Sequence, residues 1–108
     1  MPKRFKLSET GDRGWFIGGF ERAALNTTAV EAAYQFNYKG EHSSAHYHKI
    51  ATEVNLIIRG CVVMDGQEFR AGDGYIYYPG DVCSCDYLED TETMVIKLPG
   101  PLDDKYLV

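Results

Sequence analysis

The sequence predicts an all-β fold, a sandwich or barrel of antiparallel strands. Three observations carry this: short runs of branched and aromatic residues that alternate with period two, turn signals about every 8–12 residues between them, and no sustained helical pattern. At 108 residues the chain can build one core and not two, so residues 1–108 read as a single domain. No internal repeat or low-complexity tract interrupts it.

Residues 1–14 (MPKRFKLSETGDRG) form a polar N-terminal arm with turns at Gly11-Asp12 and Gly14. Trp15, Phe16 and Ile17 make a short apolar strand that Gly18-Gly19 breaks at a bulge or tight corner. Residues 21–28 are too short for a helix to stand alone and read as loop or weak strand. From Val30 the period is two, with Tyr34, Phe36 and Tyr38 on one face and Ala33, Gln35 and Asn37 on the other. After Gly40, residues 46–48 form a short strand, 49–52 a turn and 53–58 a strand rich in branched residues, and Gly60 allows another turn. Cys61–Met64 and Gln67–Arg70 flank Asp65-Gly66, the strongest hairpin signal in the chain. Residues 75–78 and 82–88 are strands separated by Pro79-Gly80-Asp81, the second with Cys83, Cys85 and Tyr87 on one face. An acidic turn over 88–93 leads to a last core strand, 94–98, which Pro99, Gly100 and Pro101 stop; residues 99–108 are a C-terminal tail.

Composition excludes several functions. With 11 basic against 16 acidic residues the net charge is −5, which repels phosphate backbones and argues against a nucleic-acid partner. Lys3, Arg4 and Lys6 read as a solvated terminus, because no apolar segment follows to make them a secretory signal. No run approaches the ~18 apolar residues of a membrane helix. Cys61, Cys83 and Cys85 are an odd count without disulfide-scaffold spacing, which fits a reducing compartment and a cytoplasmic location.

The chemistry concentrates in residues 40–60, GEHSSAHYHKIATEVNLIIRG, which hold all three histidines. His46 and His48 stand two apart, so on a strand both rings point to one side with Cα atoms about 6.6 Å apart, a spacing that suits two imidazoles on one ion. Glu53 lies an odd step beyond His48 and joins the histidines only if the chain turns over 49–52 and returns as a neighbouring strand. His42 shares their side if the strand is regular, which makes it a lesser candidate ligand or acid–base group.

Gly40, His46, His48, Glu53 and Gly60 resemble the first motif of the cupins at every fixed position. In the second motif Gly72 and Gly80 fit, Tyr78 stands where a proline is usual and Pro79 follows it, Cys83 takes the histidine position, and Tyr87 takes that of the final asparagine. The resemblance implies a single-domain antiparallel jelly-roll β-barrel, and a homodimer. It also implies a divalent transition metal (Fe, Zn, Mn or Ni) held by His46, His48 and Glu53, with Cys83 as a thiolate fourth ligand or a small buried hydrophobe.

Asn55 shares the face of Glu53 and is a candidate to orient it or bind a ligand. Tyr38 and Tyr77 are candidate substrate contacts among aromatics that otherwise read as core. No separate acid–base pair stands out, so no catalytic residue is assigned. Two functions follow. One is a metal-binding cupin that binds or acts on a small sugar-like or carboxylate molecule, as an isomerase or oxygenase. The other is a non-catalytic binding cupin whose histidines only hydrogen-bond to Glu53 and to each other. A cysteine nucleophile at Cys83, with a histidine as base, is a lesser third.

Overall fold

The computed structural model describes residues 1–11, 13–100 and 103–108. Asp12 of the expected turn, and Pro101 and Leu102 of the expected tail, lie outside the described residues.

Two sheets face each other. One has the spatial order β2 (Leu25–Asn26), β1 (Trp15–Gly18), β3 (Glu31–Asn37), β10 (Thr91–Leu98), β5 (Thr52–Arg59) and β8 (Gly74–Tyr77). The other runs β11 (Lys105–Leu107), β4 (His42–His48), β9 (Cys83–Tyr87), β6 (Cys61–Met64) and β7 (Gln67–Arg70). This is the expected jelly-roll plan, with two departures in detail. The sheets do not close into one hydrogen-bonded barrel. The β1–β2 pair is parallel, Ile17 opposite Leu25, where antiparallel strands alone were expected.

Alternation along each strand divides the residues between the interior and the outer faces. Register aligns Ala33, Val95, Asn55 and Tyr75 across β3, β10, β5 and β8, all turned inward. On the facing sheet Val62, Met64 and Cys85 point back and close a core around Ile57, with Phe69, Tyr75, Tyr77 and Tyr87 packed against it. That core fills the half of the interior toward the β6–β7 hairpin, whose two-residue turn is Asp65-Gly66 as expected. The other half holds small or polar side chains and stays open. On β3 the aromatic face is the outer one: Phe36 and Tyr38 are exposed, while Ala33 is fully buried. The outer face of the six-stranded sheet also exposes Leu56, Ile58 and Ile76.

The strand 42–48 is longer than the 46–48 expected, because His42 and Ser43 before it also find partners in β9. The last core strand likewise begins at Thr91 and absorbs part of the expected acidic turn. The tail is no loose end, since residues 105–107 pair with β4 along its full site-bearing half. No helix among the described residues is long and apolar enough to cross a membrane.

The two glycines that frame residues 40–60 do different work. Gly60 (φ +107°) turns β5 into β6 where an added Cβ would lie 2.5 Å from the Asp90 carbonyl oxygen and 2.7 Å from Thr91 Cα. Gly40 (φ +91°) needs the same left-handed backbone but has nothing within 4 Å. Gly40→Ala should therefore cost about 1 kcal/mol of conformational strain. Gly60→Ala should cost about 3 kcal/mol or more, or fail to fold, because backbone must move as well. Urea denaturation of the two variants checks this, and equal losses would remove the close approach as the reason for Gly60.

Candidate functional site

The site is built by one crossing of the chain. β4 belongs to one sheet and β5 to the other, and residues 49–51 carry the backbone between them. The odd step from His48 to Glu53 is resolved by this crossing to the facing sheet, not by return as a neighbouring strand of the same sheet. Both residues thereby point into the space between the sheets. Asp104 holds the crossing. Its carboxylate accepts hydrogen bonds from the backbone N–H groups of Lys49 (3.1 Å), Ile50 (2.8 Å) and Ala51 (2.9 Å). Burial alone would raise the pKa of this carboxyl, but those three donors hold it below its ordinary value of 3.8.

A bulge in β4 selects which histidines enter the site. Opposite β9, Ser43 faces Cys85 and His46 faces Cys83, so three steps on one strand match two on the other. The extra residue inverts the alternation. His46 and His48 turn inward with Ser43, and His42 is thrown to the outer surface, where its Nδ1 lies 2.8 Å from Asp86 Oδ1. The regular strand that would have placed His42 beside the other two is not formed, and His42 is no part of the site.

Hydrogen bonding fixes the tautomers of the two inner rings. His46 Nδ1 lies 2.8 Å from the Ser44 carbonyl oxygen and His48 Nδ1 lies 3.1 Å from that of Asp104. A carbonyl only accepts, so each Nδ1 carries a proton, and Nε2 is the ring atom that each histidine presents to the interior. The rings meet edge to face with centroids 5.6 Å apart. His46 Nε2 accepts from the Cys83 thiol at 3.1 Å. His48 Nε2 faces Glu53 Oε1 at 3.5 Å, is 5% exposed as a residue, and has no hydrogen-bond partner. The other Glu53 oxygen accepts from buried Asn55 Nδ2 at 3.0 Å. A ring lone pair and a carboxylate facing each other at this distance repel unless a cation, a proton or a metal ion, lies between them. His46, His48, Glu53 and Cys83 thus share one pocket but stand in two pairs. Among the described residues no three such side chains are arranged around a common point.

These residues line one side of a cavity of about 650 Å³ between the sheets. Tyr77 lines it too, with its hydroxyl donating to Met64 Sδ at 2.6 Å, and burial raises the pKa of that phenol. Tyr38 does not reach it. It is 64% exposed, beyond the end of β3, and packs edge-on against Phe36 on the outside of the sheet. Of the residues expected to meet a ligand, Asn55 and Tyr77 stand at the cavity and Tyr38 faces away. The cavity also has lining that sequence patterns left unnoticed. Trp15, Glu31, Gln35 and Lys97 form its far wall, and Lys105 of β11 lies at its edge. A lysine in a strand otherwise read as core was the one available sign.

Cys83 is a poor nucleophile where it sits. Burial, then the neighbouring Glu53 charge, push its thiol up to about 12. Far less of it than of a free cysteine is then thiolate near neutral pH. Iodoacetamide should alkylate Cys83 of the native, chelator-treated protein at least ~100-fold more slowly than in urea, with the rate still climbing above pH 9. Peptide mapping reads this, and a fast native reaction at pH 7 would restore the nucleophile.

No protein-family model and no curated protein matches this sequence. Solved structures do. An uncharacterised conserved protein with a double-stranded β-helix domain from Klebsiella pneumoniae superposes with a TM-score of 0.73 at 18% identity, covering 98% of this chain and 91% of that one. The DMSP lyase DddQ from Ruegeria pomeroyi gives 0.69 at 19% identity, over 97% of this chain and 59% of its own. An RmlC-like cupin from Shewanella frigidimarina gives 0.64 at 20% identity, over 73% of each chain. Identities this low carry architecture and not activity. With its facing sheets and its strand order, the chain has the double-stranded β-helix fold of the cupins.

Proposed function

We propose that this protein is a metal-binding cupin that binds or transforms a small polar molecule in the cavity between its sheets. The observation that carries the reading is the buried Nε2 of His48, without a hydrogen-bond partner and 3.5 Å from the Glu53 carboxylate. The donor set fits a divalent transition metal. His46 and His48 offer Nε2 lone pairs whose rings are oriented from behind by carbonyls, the arrangement typical of histidine ligands. Glu53 offers an oxygen, and Asn55 holds the carboxylate in place. Such an ion, Fe, Mn, Ni or Zn, would supply a Lewis acid for a bound oxygen or, as iron, a site for O₂. Cys83 stands beside His46, and ligation by it would require the ion to displace the thiol proton.

The chain's own residues bind and orient, and no group in the cavity is assigned as a catalytic acid or base. A non-catalytic binding module is therefore the second reading, favoured by the pairing of the four donors into His46–Cys83 and His48–Glu53.

Metal uptake decides between occupied and empty sites. Chelator-treated wild type offered each of the four metals should bind about one equivalent of at least one. His46→Ala, His48→Ala and Glu53→Ala should fall below about a tenth of an equivalent, and Cys83→Ala should stay near one. Less than a tenth for wild type with every metal would overturn the metal reading. Loss in Cys83→Ala alone would make the thiolate a ligand.

A cytoplasmic homodimer belongs to the same proposal. Exposed Leu56, Ile58 and Ile76 on the outer face of the six-stranded sheet offer a self-complementary apolar surface for a two-fold, uncharged in a chain of net charge −5. Light scattering should give a dimer mass for wild type and a monomer mass for Leu56→Lys/Ile76→Lys. A monomeric wild type would remove the dimer.

A further inference from the structure

We propose that the ligand of this site is a small carboxylate and that Lys97 anchors its carboxylate group. The inference rests on the metal-binding reading and narrows it.

Register places Glu31, Lys97, Glu53 and Tyr77 in one row across β3, β10, β5 and β8, on the inner face. Lys97 therefore stands between the carboxylate that faces His48 and a second carboxylate, that of Glu31. Its Nζ lies 3.4 Å from Glu31 Oε1 and 5.0 Å from the centroid of Trp15. The two side chains are only 19% and 16% exposed. Beside them the row Ala33, Val95 is made of small residues, and the cavity opens above it.

Stability does not account for this pair. Withdrawing two charges from water costs about as much as their attraction returns, and well-packed apolar residues usually do as well or better. Strand β10 is apolar or hydroxyl-bearing at its other inward positions, Thr91, Thr93 and Val95, so an apolar residue at 97 would suit the pattern. An ammonium group kept at a cavity wall, with three donors of which Glu31 takes one, has donors left for a ligand.

Charge balance selects the class of ligand. Glu31, Lys97 and Glu53 sum to −1, which repels an anion. A divalent ion held by Glu53 and two neutral histidines changes the row to +1, and one carboxylate then neutralises it. A neutral sugar leaves the charge unbalanced. Of the other charged residues lining the cavity, Arg13, Arg22 and Lys105 outnumber Glu21, which reinforces attraction of an anion in a chain of net charge −5. Trp15 and Gln35 remain to meet the rest of the molecule.

The test uses matched acid and neutral probes, glucuronate with glucose and pyruvate with acetone, titrated calorimetrically into protein of measured metal content. Loaded wild type should bind at least one acid about tenfold or more tighter than its neutral partner, and chelated protein should bind neither. The uronate and oxo-acid arms show whether the carboxylate sits on a sugar ring or on a short acid. Lys97→Met should weaken acid binding by about tenfold or more, while Glu31→Gln, which frees the ammonium, should tighten it several-fold. Both variants should keep the metal content of wild type. Opposite signs are what an anchor gives; breaking a purely structural pair from either side would weaken binding both ways. Equal binding of acid and neutral probes, weakening in both variants, or no binding of either acid to loaded protein would overturn the proposal. A wild type that takes up no metal would instead overturn the metal reading beneath it.

Discussion

The site depends on one constraint, that the chain must leave one sheet at His48 and enter the other by Glu53. A three-residue crossing cannot satisfy its own backbone through sheet ladders, and buried N–H groups without partners are costly. Asp104 removes that cost at a single point, accepting from three successive N–H groups while itself 3% exposed. Its carbonyl meanwhile accepts a hydrogen bond from His48 Nδ1–H. One residue thus fixes the backbone that brings two donors face to face and the ring state that makes one of them a donor.

The interior is divided between two physical regimes. Around Ile57, Val62, Met64 and Cys85 it is packed and apolar, with Tyr75 edge-on between Phe69 and Tyr77. Beyond Tyr75 and Tyr77 it becomes polar, lined by Glu53, Asn55, Lys97 and Glu31. The packed half supplies the hydrophobic burial that holds the sheets together and so leaves the other half free to stay open. Tyrosines suit the boundary, since an apolar ring meets the core and a hydroxyl meets either sulfur or the cavity.

Features governed by local pattern were legible in the sequence. Parity placed His46 with His48 and Asn55 with Glu53, and Asp65-Gly66 located the hairpin within the residues that form it. Features governed by long-range register were not. The β4 bulge falls on Ser44-Ala45, without a glycine or proline to mark it, so nothing in the sequence separated His42 from His46. Alternation defined two faces on β3 but not which one is inside. The aromatic face of Tyr34, Phe36 and Tyr38 looked the better core, yet the neighbouring strands leave room only for the small side of Ala33. Asp104 read only as part of the C-terminal tail, because its partners are 53 to 55 residues away.

That separation bears on how the protein comes to be functional. Contacts between β4 and β11 close one of the longer loops in the chain, and ordering such a loop is entropically expensive until most other contacts exist. Before it closes, His48 is free to populate either tautomer and residues 49–51 are free to exchange with water. The donor pair is therefore organised by distant contacts and not by its own local sequence. An ion that arrives early meets a flexible chelator, and one that arrives late meets a rigid seat.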